Sequence, residues 1–209
     1  MVQSLKKFVA LLFFTSAMLI AQTNAAASEK TLLVMGDSLS AYYGMSKKAG
    51  WVNLLRDRLQ QHDTDWQVIN ASISGETTDG GQRRLPDLLA KHQPQIVIIA
   101  LGANDGLRGF PPPQIQSRLA DMIRQSQSSA GVILLGIELP PNYGPVYTQA
   151  FRQVYQDLSD TYQIGLLPFM LDGIYDQPGM MQSDGLHPSD KAQPLILDLV
   201  WPLVSPLIN

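Results

Sequence analysis

Beyond residue 30 the chain alternates between short, continuous apolar runs and longer stretches with helical spacing. The runs are Thr31–Met35, Trp66–Ala71, Gln95–Leu101, Gly131–Ile137 and Ile164–Pro168. Runs this short and this apolar suit strands covered on both faces, as in a parallel sheet. Between them, Trp51–Gln60 repeats apolar residues at Trp51, Leu54, Leu55 and Leu59, and Gln114–Gln125 at Ile115, Leu119, Met122 and Ile123. Val146–Tyr162 does so at Val146, Ala150, Phe151, Val154, Tyr155 and Leu158. Each spacing puts one apolar stripe on a helix. Leu195–Ile208 reads as a last helix, kinked by Pro202 and Pro206. Five strands alternating with helices predict an α/β fold, a three-layer α/β/α sandwich around a five-stranded parallel sheet.

The first 27 residues follow a different pattern. Lys6 and Lys7 precede an apolar run, Phe8–Ala21, and Ala25-Ala26-Ala27 supplies small residues for cleavage near Ser28. This is the layout of a secretory signal, and the run is shorter than the roughly 20 residues of a membrane span. The expected organisation is a signal peptide over 1–27 and one domain over 28–209, periplasmic or secreted and with no permanent membrane anchor after signal removal.

Composition narrows the chemistry. The 209 residues carry 15 basic and 18 acidic side chains, a net charge of −3, and loss of Lys6 and Lys7 makes the mature chain more acidic still. Phosphate neutralisation needs clustered Lys and Arg, so no nucleic-acid partner is expected. With no cysteine, a disulfide framework, a cysteine nucleophile and thiolate metal sites are excluded. Three dispersed histidines, His62, His92 and His187, offer no metal-ligand cluster.

Ligands of open parallel sheets bind beyond the carboxyl ends of the strands, so the residues after each strand matter most. The first strand is followed by Gly36-Asp37-Ser38-Leu39-Ser40. Ser38 at a strand-to-helix turn is placed to be a nucleophile, and equally to cap a helix. The second is followed by Ser72-Ile73-Ser74-Gly75, where Gly75 offers either an accessible N–H or an ordinary turn. The third is followed by Gly102-Ala103-Asn104-Asp105, whose Asn104 amide is an oxyanion donor or simple turn chemistry. Near the carboxyl end, Asp184-Gly185-Leu186-His187 puts a carboxylate three residues before a histidine, the spacing of an oriented base or of a surface turn. His62 and His92 fall at the other end of the sheet. Each fragment has a bland reading, yet together they supply nucleophile, base, orienter and oxyanion donors, the parts acyl transfer needs.

This combination, in this order, resembles the GDSL or SGNH hydrolase family over essentially the whole mature chain. Asn70–Thr78, Pro141–Gly144 and Leu166–Phe169 are similar to its periplasmic thioesterase and lysophospholipase subgroup, while Tyr43-Gly44 is a small difference on the pocket rim. The resemblance implies a flavodoxin-like sheet in the order 2-1-3-4-5 and no cofactor. It implies a monomeric serine hydrolase of small carboxylic esters and thioesters, with Ser38, Asp184 and His187 catalytic and Ser38, Gly75 and Asn104 forming the oxyanion hole. Two loops that follow strands are expected to line an apolar groove, through Leu107, Phe110 and Pro111 on one side and Leu139, Pro140, Asn142 and Tyr143 on the other. Carbohydrate O-deacetylation, or binding without catalysis, are the alternatives.

Overall fold

The computed structural model describes residues 30–62 and 65–208; the secretory-signal reading of residues 1–27 lies outside them. Five strands, β1 (Lys30–Gly36), β2 (Trp66–Asn70), β3 (Ile96–Ala100), β4 (Gly131–Leu135) and β5 (Gly165–Leu167), form one sheet in the order β2-β1-β3-β4-β5. All four pairings are parallel, with Val34 opposite both Asn70 and Ile98, and Gly36 opposite Ala100. Six α-helices connect them: α1 (Trp51–His62), α2 (Thr78–His92), α3 (Ala103–Leu107), α4 (Pro112–Gln127), α5 (Pro145–Tyr162) and α6 (Gln193–Val204).

The apolar runs form strands because helices cover both faces of the sheet. Leu32–Met35 and Ile96–Ile99 are almost fully shielded from solvent. Each such side chain contributes about 1.5–3 kcal/mol by leaving water. Phe151, Val154, Tyr155 and Leu158 of α5 and Ile115, Leu119, Met122 and Ile123 of α4 are buried as their spacing predicts, but Val146 and Ala150, expected on the same α5 stripe, are exposed because the first turns of α5 lie beyond the core. Among the described residues no helix is long and apolar enough to cross a membrane.

Two helices escaped the pattern. α2 opens with Gly80-Gly81 in its first turns and contains Pro86, which interrupt an apolar stripe. Tertiary packing explains the glycine at 81, since a Cβ there would lie 2.4 Å from Leu101 Cδ1. α3 is only five residues long, too short to display a period. The last helix ends at Val204, includes Pro202 and hands over to a 3-10 turn containing Pro206.

The strand order reverses between β1 and β3. β1 leads to β2 on one side, while the chain returns on the other side to lay down β3. The loops after β1 and β3 diverge there and leave a crevice at the carboxyl edge. Ser38 sits in the first of them, and Asn104 in the short α3 that follows β3.

Candidate active site

β1 delivers Asp37 and Ser38 to the carboxyl edge of the sheet. Residues 38–44 form consecutive turns, and the first helix starts only at Trp51. Ser38 is therefore not the cap of an α-helix, unlike the strand-to-helix turn expected there. The turn is instead tied by Asp37, whose carbonyl accepts from Ser40 N–H (3.1 Å) and Ala41 N–H (2.9 Å) and whose Oδ1 accepts from Leu39 N–H (3.0 Å).

His187 arrives from the segment between β5 and α6. Its Nε2 lies 2.9 Å from Ser38 Oγ and its Nδ1 lies 2.7 Å from Asp184 Oδ2. Asp184 Oδ1 also accepts from the backbone N–H groups of Leu186 (2.9 Å) and His187 (3.0 Å). Hydrogen bonding from the His187 ring, and then from those two N–H groups, holds the Asp184 carboxyl down to about 2. An ionised carboxylate only accepts, so the imidazole proton sits on Nδ1 and the Nε2 lone pair faces the serine hydroxyl. Three side chains separated by up to 149 positions thus form one hydrogen-bonded line. His62, by contrast, packs against Trp201 at the end of α1, and His92 ends α2 at the amino edge of β3.

Gly75 adopts φ +79°, a left-handed conformation that glycine reaches without a steric penalty. The N–H groups of Gly75 and Ser38 have no protein acceptor among the described residues. The Asn104 amide donates to the Glu76 carbonyl (3.0 Å) and points more distantly at Asp37 Oδ2 (3.4 Å). Asp105, wholly buried, accepts from Thr78 N–H (2.8 Å) and Thr78 Oγ1 (2.6 Å). It thereby pins the start of α2 to α3, which carries Asn104.

Asp37 is a functional-site carboxyl that the sequence reading passed over. It is 1% exposed, and burial pushes its carboxyl up to about 6, against the opposing pull of the Leu39 N–H and His187. The folded chain therefore binds this proton more tightly than the unfolded chain, whose carboxyl titrates near 3.8. The stabilisation is complete below about pH 4 and is lost as pH rises through 6, a span of up to about 3 kcal/mol. Urea unfolding of wild type and Asp37→Asn at pH 4 and 7.5 checks this. The stability difference should move in favour of wild type at the lower pH, and a constant difference would show that the carboxyl does not titrate in that window.

A cleft of about 610 Å³ opens beside Ser38, Asn104 and His187. Leu107, Leu139 and Pro140 line it as expected from the two loops. Phe110, Pro111, Asn142 and Tyr143 do not. Phe110 packs against the core, Pro111 precedes the first turn of α4, Asn142 is exposed, and the Tyr143 hydroxyl donates to the Leu107 carbonyl (2.9 Å). Their places are taken by Ile137, Phe169, Leu171, Tyr175 and Met181, several of them from the irregular segment after β5. An ion pair between Arg152 and Glu138 (3.1 Å) belongs to the same wall.

Comparison with known proteins identifies relatives of the chain. The sequence model of the GDSL-like lipase/acylhydrolase family matches residues 34–194. Esterase TesA of Pseudomonas aeruginosa is 49% identical over 200 residues, covering 95% of this chain and 99% of the relative. The thioesterase 1/protease 1/lysophospholipase L1 of Escherichia coli K12 is 44% identical over 192 residues, 91% of each chain. A crystal structure of TesA superposes with a TM-score of 0.83 at 50% identity, covering 86% of this chain and all of the other.

Proposed function

The chain belongs to the GDSL-like lipase/acylhydrolase family, and from that premise we propose that it hydrolyses carboxylic esters and thioesters through an acyl-enzyme on Ser38, with His187 as base and Asp184 as its orienting partner. The observation that carries the assignment is the unbroken line from Ser38 Oγ through His187 to Asp184 at the edge of an apolar cleft.

Ser38 Oγ attacks the acyl carbonyl while His187 Nε2 takes the hydroxyl proton. Negative charge moves to the carbonyl oxygen, where the N–H groups of Ser38 and Gly75 and the Asn104 side chain receive it. His187 returns the proton to the departing alcohol or thiol, leaving an acyl-serine. Water then attacks with the same base, and the acid is released. Asp184 keeps the ring proton on Nδ1 and offsets the positive charge that forms on the ring.

The cleft favours acyl chains over acetyl groups. An O-deacetylase wants a shallow polar site, whereas this cleft is walled by leucine, isoleucine, phenylalanine, proline and methionine. The substrates are small acyl esters and thioesters, among them lysophospholipids, aryl esters and acyl-CoA. The protein acts as a monomer outside the cytoplasm once residues 1–27 are removed.

A fluorophosphonate should label Ser38 stoichiometrically, and absence of labelling would favour a binding module. In a chain-length series of p-nitrophenyl esters, acyl-CoA and lysophospholipids, kcat/KM should climb from acetyl upward. The rise is up to about fourfold per methylene that enters the cleft, since each buried CH2 contributes about 0.8 kcal/mol. A series that falls from acetyl to octanoyl would return the deacetylase reading.

A further inference from the structure

Tyr43 stands five residues beyond Ser38, and its ring centroid lies 4.2 Å from that of His187 at an interplanar angle of 31°. The two rings lie close but tilted, and nearly half of the tyrosine remains exposed, so burial does not explain its position.

Two devices hold the ring in place. The preceding residue, Tyr42, adopts φ +63°, a conformation that bulky side chains rarely enter. It is kept there by a hydrogen bond from its hydroxyl to Asn53 Oδ1 (3.0 Å) and by packing on Gly50, where a Cβ would lie 2.1 Å from the Tyr42 ring. The second device is Gln182. Its backbone N–H donates to the His187 carbonyl (2.8 Å), and its side-chain amide donates to the carbonyls of Tyr43 (2.9 Å) and Pro188 (3.1 Å). One residue therefore fastens the serine loop to the histidine turn.

The chemistry of the contact follows from charge. The face of an aromatic ring carries negative potential and attracts a cation lying over it. His187 is neutral while its Nε2 accepts from Ser38 and becomes an imidazolium when the serine proton moves. Asp184 meets that cation at its edge, and Tyr43 meets it at its face. The Asp37 carboxyl also interacts electrostatically with the ring. An attraction that strengthens only after proton transfer lowers the barrier without tightening substrate binding.

We propose that Tyr43 is a positioning residue of the hydrolase, its ring face steering the His187 imidazole toward Ser38 and stabilising the imidazolium, with Gln182 as the tie that keeps the two loops in register. The inference rests on the catalytic reading of Ser38, His187 and Asp184.

The test compares Tyr43→Phe, Tyr43→Leu, Gln182→Ala and Ser38→Ala on p-nitrophenyl butyrate. Tyr43→Phe keeps the ring and should stay within about twofold of wild type. Tyr43→Leu keeps apolar bulk without a π face, and should lose about five- to tenfold in kcat at a nearly constant KM, the range of a part-exposed cation–π contact. Gln182→Ala should fall in the same direction. NMR supplies a readout independent of turnover. The ring protons of His187 should show an upfield ring-current shift in wild type and Tyr43→Phe that disappears in Tyr43→Leu. Wild-type kcat in Tyr43→Leu, a loss confined to KM, equal damage in Tyr43→Phe, or no ring-current shift in wild type would each overturn the proposal. An inactive Ser38→Ala beside a fully active Tyr43→Leu removes Tyr43 alone, whereas an active Ser38→Ala removes the catalytic reading beneath it.

Discussion

Ser38→Ala is expected to lower kcat on a p-nitrophenyl ester by more than a thousandfold while the chain stays folded. The substitution deletes one oxygen at a half-buried position in a turn that Asp37 ties by its own backbone and side chain. None of the turn's hydrogen bonds passes through the serine hydroxyl; its partner is the His187 ring. The Ser38 N–H, the Gly75 N–H and the Asn104 amide remain, so the residual rate reports what charge stabilisation achieves without a nucleophile. Circular dichroism and the urea midpoint establish folding, and burst kinetics with an excess of ester establish loss of the acyl-enzyme. A variant that keeps a tenth of its activity would take Ser38 out of the reaction.

Asp184→Asn is expected to cost about a thousand- to ten-thousandfold in kcat. The asparagine can keep its Oδ1 on the backbone N–H groups of Leu186 and His187, so the turn survives. What changes is the atom facing His187 Nδ1. An amide nitrogen donates where the carboxylate accepted, so the ring proton moves to Nε2 and is aimed at Ser38 Oγ. A base presenting a proton to its nucleophile cannot remove one. The wild-type carboxyl, held down to about 2, stays charged across the neutral and mildly acidic range, so the loss should be similar at pH 6 and pH 8. A loss below tenfold would reduce Asp184 to a tie within a turn.

How much of this was legible in the chain depends on how locally each feature is encoded. The buried strands announce themselves because Leu32–Met35 and Ile96–Ile99 have helices on both faces and need no polar side. α2 does not, because Gly81 answers to the close approach of Leu101 and Gly80 to that of the Glu76 side chain rather than to helical propensity. Ser38, Gly75, Asn104, Asp184 and His187 were each ambiguous alone; strand order puts the ends of β1 and β3, with Ser38 and Asn104, side by side, and the segment after β5 brings His187 and Asp184 to them. The cleft wall was only half readable. A loop sequence tells which residues are near, but Tyr143 turns its hydroxyl back onto Leu107, while Phe169 and Leu171 come forward from a segment with no period to read. The burial of Asp37 and the stacking of Tyr43 on His187 are tertiary facts with no local signature.

The distance along the chain between Ser38 and His187 has a consequence for the life of the molecule before it is finished. The hydroxyl is made early and the imidazole 149 positions later, after the last strand of the sheet. On the proposed mechanism, a chain that lacks the final segment would hold Ser38 without its base and would not turn over ester. By the same mechanism, hydrolysis would begin only when the final segment docks, and the onset of product would report the completion of folding.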